Sequence, residues 1–195
     1  IRCLKIHPPH QCHAANAYTE GLEALGRIYR RCEERGLPVL VHTGTSIFPG
    51  ARSKWGNPME LDDVAIDFPK LTIVMAHGGR PLWMEQAFFL VRRFKQVYMD
   101  VSSIPPKAIL RYFPRLAEVQ DKVLCGSDWP APGVRSMGQN LREFRALGLP
   151  ESFPQSSDRS QWYFSTAVVI LLITVFCSVR LRDSRLGRAW VAIRE

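Results

Sequence analysis

The 195-residue sequence lacks most of the short motifs that identify an activity directly. It contains no GxGxxG segment after its first apolar run and no P-loop, so nothing indicates a nucleotide-binding open sheet. None of its five cysteines forms a CxxC pair. An odd number of cysteines without metal-ligand spacing favours free thiols in a reducing compartment. No basic n-region or cleavage site opens the chain, so no secretory signal is expected.

Basic residues outnumber acidic ones, but they do not form a nucleic-acid-binding pattern. The formal net charge is +8, from 26 Lys and Arg against 18 Asp and Glu. Up to residue 150 the basic residues are scattered among acidic ones and form no run with interleaved aromatics. A chain with 46% hydrophobic and 23% charged residues has the composition of a folded protein. We therefore expect a folded chain with no nucleic-acid partner.

Five short apolar runs recur along the first 130 residues, at 1–7, 37–42, 71–77, 96–103 and 121–128. Each is near-continuous rather than alternating, which is typical of strands buried on both faces. Helical patterns follow at 17–36, 57–69, 81–94 and 137–148. The spacing of about 25–35 residues between strand starts is that of βα units. The sequence therefore predicts an α/β fold with a parallel sheet, either a barrel wall or an open doubly wound sheet.

Polar side chains stand at the ends of these runs. His42 ends the second, His77 the third and Asp128 the fifth, while Asp100 and two serines close the fourth. In a (β/α)₈ barrel the carboxyl ends of all strands surround one cavity, so these side chains would meet there. Imidazole nitrogen and carboxylate oxygen are suitable ligands for divalent metals. Local alternatives are a histidine bonded to its own turn, a bend at the glycines after His77, and an Asx turn at Asp128.

His7 also ends a run, but the sequence "HPPH" favours a residue that caps the strand before two prolines. His10 and His13 follow in a polar loop and are interpreted as surface residues.

Four segments carry a resemblance to a known family: "VLVHTG", "LTIVMAHGGRPLW", "VYMDVSSIPP" and "VLCGSDWPAPG". They resemble the later part of the amidohydrolase-related family, metal-dependent (β/α)₈ barrels related to aminocarboxymuconate-semialdehyde decarboxylase and resorcylate decarboxylases. The resemblance covers residues 1–150 and implies the C-terminal part of a TIM barrel, with about five βα units.

The resemblance implies a metal-dependent hydrolase or decarboxylase that acts on a small molecule. It implies His42 as a metal ligand, His77 as a catalytic histidine that polarises substrate or metal-bound water, and Asp128 as both metal ligand and proton acceptor. The implied metal is divalent, with zinc favoured and manganese the alternative. Arg80 and Trp129 are candidates for substrate binding, and a carboxylate is the substrate group that Arg80 would pair with. By type such a barrel is cytoplasmic, and self-association of the chain is left open.

The sequence also departs from the family pattern. The family's first strand ends in His-x-His, which supplies two metal ligands, and this sequence contains no His-x-His. By count, the first three of eight βα units are absent. His42 and Asp128 are fewer than the three protein ligands of a catalytic zinc site. We therefore expect an incomplete fragment that binds metal weakly and has little activity by itself.

The end of the sequence follows a different pattern. After a linker at 151–161, residues 162–179 include no charged residue, and 18 residues is the short end of the range for a transmembrane helix. Trp162 and Tyr163 stand at one border and four arginines follow the other, which predicts a basic cytoplasmic segment at 180–195. A buried core helix is the alternative, because the segment contains several serines and threonines.

The segment "VRLRDSRLGRAWVAIRE" is similar to the cytoplasmic loop of branched-chain amino acid ABC transporter permeases. This resemblance implies the alternative function, a membrane permease component. A span with its C-terminus inside places residues 1–150 outside, which conflicts with the barrel type. A chimeric or truncated reading frame accounts for both halves, and a non-catalytic binding module is a third interpretation.

Overall fold

Five parallel strands form the sheet of this protein, whose computed structural model describes residues 2–131 and 136–148. The strands are β1 (Leu4–Ile6), β2 (Val39–His42), β3 (Ile73–Ala76), β4 (Val97–Asp100) and β5 (Val123–Leu124). Each strand lies inside one of the five apolar runs, so the predicted parallel α/β sheet is confirmed. The spatial order is β1-β2-β3-β4-β5. Sequential order is that of a barrel wall, whereas a doubly wound sheet reverses its order at a switch point.

Helices follow the strands, and several of them share one hydrophobic core with the sheet. They are α1 (Pro8–Gln11), α2 (Glu23–Glu34), α3 (Leu61–Asp67), α4 (Met84–Arg93), α5 (Pro106–Tyr112) and α6 (Met137–Arg145). Each of the four predicted helical segments contains one of them. Short 3₁₀ turns at Ser53–Gly56 and Pro58–Glu60 lead into α3.

None of the helices within residues 2–131 and 136–148 is long and apolar enough to cross a membrane. The predicted linker at 151–161, the predicted span at 162–179 and the basic segment at 180–195 lie outside the described residues.

The two faces of the sheet are buried to different extents. Because side chains alternate along a strand, residues aligned by the register share a face. One aligned row is at most 2% exposed and belongs to the core that the helices complete: Val41, Met75, Met99 and Val123. The row on the opposite face is only half-buried: Leu40, Val74 and Tyr98. On β5, Leu124 is 45% exposed. The second face is thus the one with room for a cavity.

Candidate active site

The carboxyl ends of the strands line one cavity of about 590 Å³. All five site residues predicted from the sequence line it: His42, His77, Arg80, Asp128 and Trp129. They come from the ends of β2 and β3 and from the loop after β5, separated by up to 87 positions in the sequence and brought together by the parallel register. The structure therefore places the predicted residues at one site.

Strand alternation explains why these side chains face the cavity. Lys5 aligns with Leu40 in the register, and both lie on the half-buried face. His7 follows two positions after Lys5, and His42 two positions after Leu40, so both histidines project to the same side. Lys5 and His7 line the cavity beside His42.

Three imidazoles line the cavity, and the His42 ring contacts the other two. His42 and His77 are 5% and 7% exposed. Their ring centroids lie 4.8 Å apart, and the ring planes meet at 65°. The His7 ring stacks on His42, with centroids 3.9 Å apart and planes at 21°. His7 also precedes α1 and accepts the His10 N–H through Nδ1 at 3.4 Å. His7 therefore caps the start of α1 rather than only ending a strand, and its ring is also part of the site.

Burial keeps the two inner imidazoles neutral. Burial, helped by the nearby His7 and His77, lowers the pKa of His42 to about 3. Burial also lowers the pKa of His77 to about 4, although the charge of Asp128 opposes the shift. At neutral pH each ring therefore has one nitrogen with a lone pair. Lone-pair nitrogens can accept a proton or bind a metal.

The loops after β2 and β3 are held together by the small residues of "HTG" and "HGGR". The Thr43 hydroxyl donates to the Ala76 carbonyl at 2.7 Å and accepts the Gly79 N–H at 3.0 Å. At Gly44 the backbone has φ 94°, and a Cβ there would overlap the Arg80 carbonyl oxygen. Only glycine allows this approach. These contacts fix His42 and His77 relative to each other.

Backbone strain is concentrated at the cavity. His77, Ser103 and Asp128 have φ values of 68°, 60° and 57°, and all three line the cavity. Among the described residues, Cys12 is the fourth non-glycine with a positive φ, and it ends α1. Left-handed backbone costs a non-glycine residue about 1–3 kcal/mol and is typical of functional sites.

Asp128 and Arg80 face the cavity with different degrees of hydrogen bonding. The Ser103 hydroxyl donates to Oδ2 of Asp128. Asp128 as a whole residue is exposed. The Arg80 Nε atom is buried and has no hydrogen-bond partner within the described residues. An unpartnered guanidinium nitrogen beside a cavity favours an anionic ligand.

The residues present fit a metal site only in part. The donor types are suitable, since His42 and Asp128 offer an imidazole nitrogen and a carboxylate oxygen. The Nε2 atom of His42 lies 3.3 Å from the Thr45 carbonyl oxygen. A carbonyl only accepts, so this contact leaves Nδ1 as the nitrogen with the lone pair. Within residues 2–131 and 136–148, however, no group of three or more His, Cys, Asp or Glu side chains could hold a metal ion.

Sequence reasoning missed several cavity residues. Lys5 and the ring of His7 could have been found from the two-residue period of β1, which places both on one face. Ile47 and Phe48 line the cavity from the loop after β2 and are exposed. No pattern in the sequence indicates where that loop lies.

One protein family matches most of the chain. The model of the family described as Amidohydrolase aligns with residues 5–159. The chain belongs to the amidohydrolase family. The match confirms the family predicted from the four strand-end segments, and it does not separate hydrolases from decarboxylases. No curated protein matches the chain significantly.

Three solved structures are similar to the chain in fold. An uncharacterised TIM-barrel protein from Bordetella bronchiseptica is 24% identical, with a TM-score of 0.61, over 77% of this chain and 52% of that chain. A putative metal-dependent hydrolase from Lactobacillus casei is 24% identical, with a TM-score of 0.53, over 71% of this chain and 38% of that chain. A dihydroorotase from Campylobacter jejuni is 19% identical, with a TM-score of 0.53, over 85% of this chain and 59% of that chain. These identities show the fold alone, and the chain spans 38% to 59% of the length of these proteins.

Proposed function

We propose that the chain forms part of the active site of a metal-dependent hydrolase that acts on a small molecule. The observation that carries the proposal is the convergence of His42, His77 and Asp128 on one cavity. The two histidines have lowered pKa values, and titratable residues with shifted pKa values that line a cleft are typical of an active site. The family match and the metal-dependent hydrolase of similar fold support a divalent metal. Zinc is the favoured metal, because imidazole and carboxylate are its usual ligands besides thiolate.

His42 and Asp128 are the proposed metal ligands in this chain. A catalytic zinc site has three protein ligands, so further ligands must come from outside the described residues. When bound, a divalent metal lowers the pKa of a coordinated water toward about 7. Ser103 holds one oxygen of Asp128, which orients the carboxylate so that its other oxygen can accept a proton. Neutral His77 lines the cavity and can contact the substrate.

The proposed substrate carries a carboxylate next to an apolar group. The buried, unpartnered Nε of Arg80 and the ammonium of Lys5 supply positive charge along the cavity. Trp129 and Phe48 are 52% and 57% exposed and offer aromatic surface on its wall. A carboxylate held there would be a recognition group in hydrolysis or the leaving group in decarboxylation. Decarboxylation is therefore the alternative chemistry at the same site.

Metal binding can be tested on the full chain after treatment with a chelator. We expect the thermal unfolding midpoint to rise as Zn²⁺ or Mn²⁺ is added, because a ligand that binds only the native state stabilises it. His42→Ala and Asp128→Asn should each reduce this rise. His13→Ala is the matched control, because His13 does not line the cavity and its Nδ1 contacts the adjacent Ala14 carbonyl.

The proposed ligand set is wrong if His42→Ala and Asp128→Asn keep the full metal-dependent rise, or if His13→Ala abolishes it. Two ligands also predict weak binding. Elemental analysis after desalting should therefore find far less than one metal per chain, and stoichiometric, tightly bound zinc would contradict that expectation.

We also propose that residues 162–179 attach the chain to a membrane. The segment has no charged residue, and the family match ends at residue 159, before the segment begins. The permease likeness is carried by the same part of the sequence. Fractionation of cells should recover the full chain with membranes, released by detergent but not by high salt. Recovery in the supernatant without detergent would contradict this proposal.

A further inference from the structure

A hydrogen-bonded chain of polar groups lies behind His77, on residues to which the sequence assigned no role. Asp100 is the last residue of β4, and Ser102, 5% exposed, follows two positions later. The Ser102 Oγ atom bonds to Oδ2 of Asp100 and lies 3.0 Å from Nδ1 of His77. The Ser102 carbonyl oxygen lies 3.3 Å from the same nitrogen.

The protons in this series of hydrogen bonds can be assigned by counting the donors. A serine hydroxyl has one proton, and a carboxylate only accepts. The Asp100 carboxylate receives the Ser102 N–H at 3.1 Å and the Ser102 hydroxyl. Burial raises the pKa of Asp100, but the two hydrogen bonds from Ser102 oppose that shift and favour the ionised carboxylate. The Ser102 proton therefore points to Asp100.

The direction of the Ser102 hydroxyl decides which ring nitrogen of His77 carries the proton. With its own proton on the Asp100 side, Ser102 Oγ can only accept from His77, and the Ser102 carbonyl oxygen can only accept as well. Both contacts therefore require the N–H of His77 to be on Nδ1. Within the described residues, Nε2 of His77 has no hydrogen-bond partner.

We propose that Asp100 and Ser102 are positioning residues that hold His77 in the Nδ1–H tautomer, so that Nε2 presents a lone pair to the cavity. The importance of this tautomer for catalysis rests on the proposed function, but the tautomer itself does not. A neutral His77 in this state accepts a proton or a hydrogen bond from a molecule in the cavity. The opposite tautomer would donate at that position.

Two-bond ¹H–¹⁵N correlation spectra of the chelator-treated full chain, labelled with ¹⁵N-histidine, report the tautomer directly. The His77 signals are assigned by their loss in His77→Gln. We expect the wild-type spectrum at neutral pH to show the proton on Nδ1 of His77. A wild-type spectrum with the proton on Nε2 would overturn the proposal.

Asp100→Asn tests the donor-to-acceptor direction of the hydrogen bonds from His77 through Ser102 to Asp100. The Ser102 N–H holds the oxygen of the new amide, so the amide NH₂ faces Ser102 Oγ as a donor. The Ser102 proton is then free to bond to Nδ1 of His77, which favours the Nε2–H tautomer. We expect the ratio of Nδ1–H to Nε2–H to fall about tenfold, the effect of one hydrogen bond.

Further variants keep the test decisive. Ser102→Ala removes the hydroxyl and leaves only the Ser102 carbonyl, so the Nδ1–H preference should weaken even if Asp100→Asn does not fold. Ser102→Thr keeps the hydroxyl and should keep the wild-type spectrum. Ser103→Ala is the matched serine control, because Ser103 bonds to Asp128 instead. Wild-type spectra in both Asp100→Asn and Ser102→Ala would overturn the proposal.

The spectra need neither metal nor turnover, so the two proposals can fail separately. Suppose that the Nδ1–H tautomer depends on Asp100 but the stability of the protein does not respond to metal. The positioning role would then stand, and the proposed metal-dependent function would be wrong.

Discussion

Environment, rather than residue type, decides what each histidine at this site can do. His42 and His77 are buried and neutral at neutral pH, because burial lowers the pKa of each. His10 is exposed and does not line the cavity, although its ring meets the edge of the His7 ring at 4.5 Å between centroids. The same imidazole is therefore a lone-pair donor inside the cavity and an ordinary polar side chain outside it.

At the residue scale, Arg80 is expected to determine anion binding. Benzoate added to the full chain should shift the indole N–H signal of Trp129, because it combines a carboxylate with an aromatic ring. Arg80→Gln should weaken this binding about tenfold or more, since a charge-assisted hydrogen bond is worth about 1.5–3 kcal/mol. The control is Arg111→Gln, an exposed arginine on α5. Equal benzoate affinity in both variants would remove Arg80 from the binding site.

At the scale of elements, the site depends on a close crossing of backbones. The Gly44 N–H donates to the Gly56 carbonyl at 2.7 Å, and the Thr45 N–H donates to the Arg80 carbonyl at 2.9 Å. The loop after β2 thereby contacts both the 3₁₀ turn at Ser53–Gly56 and the loop after β3. The cavity wall is therefore only as stable as this crossing.

Gly44→Ala should be more destabilising than Gly50→Ala. Both glycines have positive φ, 94° and 81°, but a Cβ at Gly50 meets nothing within 4 Å, whereas at Gly44 it meets the Arg80 carbonyl. Gly50→Ala should cost about 1–2 kcal/mol of unfolding free energy, the cost of left-handed backbone. Gly44→Ala should cost about 1–3 kcal/mol more, because of overpacking. Urea unfolding measures both values, and equal losses would contradict the close approach.

At the scale of the whole molecule, the sheet is a barrel wall with unequal faces. Val41, on the helix-facing side, is 1% exposed and belongs to the hydrophobic core. Val74, on the cavity side, is half-buried. The stability of the wall therefore comes mainly from the helix-facing side, and the function from the other.

Matched valine substitutions test this difference. Val41→Ala should reduce the free energy of unfolding by about 2 kcal/mol, because it removes fully buried methyl groups. Val74→Ala should reduce it by less than about 1 kcal/mol, because its side chain keeps part of its contact with solvent. Equal losses in urea unfolding would show that the cavity face of the sheet is covered in solution.

Much of the fold and part of the site were predictable from local pattern. The five strands lie within near-continuous apolar runs, because a strand buried on both faces needs apolar side chains at every position. His42, His77 and Asp128 stand where those runs end, and parallel strands end at one edge. Asp100 and Ser102 end the fourth run and carry the same local signal, but no pattern in the sequence shows that they bond to each other and to His77. Ile47 and Phe48 carry no such signal and were missed.

What the sequence determined by itself was the set of elements and the positions where polar groups end them, because hydrophobic burial and strand alternation act over a few residues. The tertiary structure alone decided which groups touch: His7 on His42, Thr43 on Gly79, and Ser102 between Asp100 and His77. Hydrogen-bond direction and pKa depend on distances of a few ångströms and on burial, and both arise only when distant segments pack together.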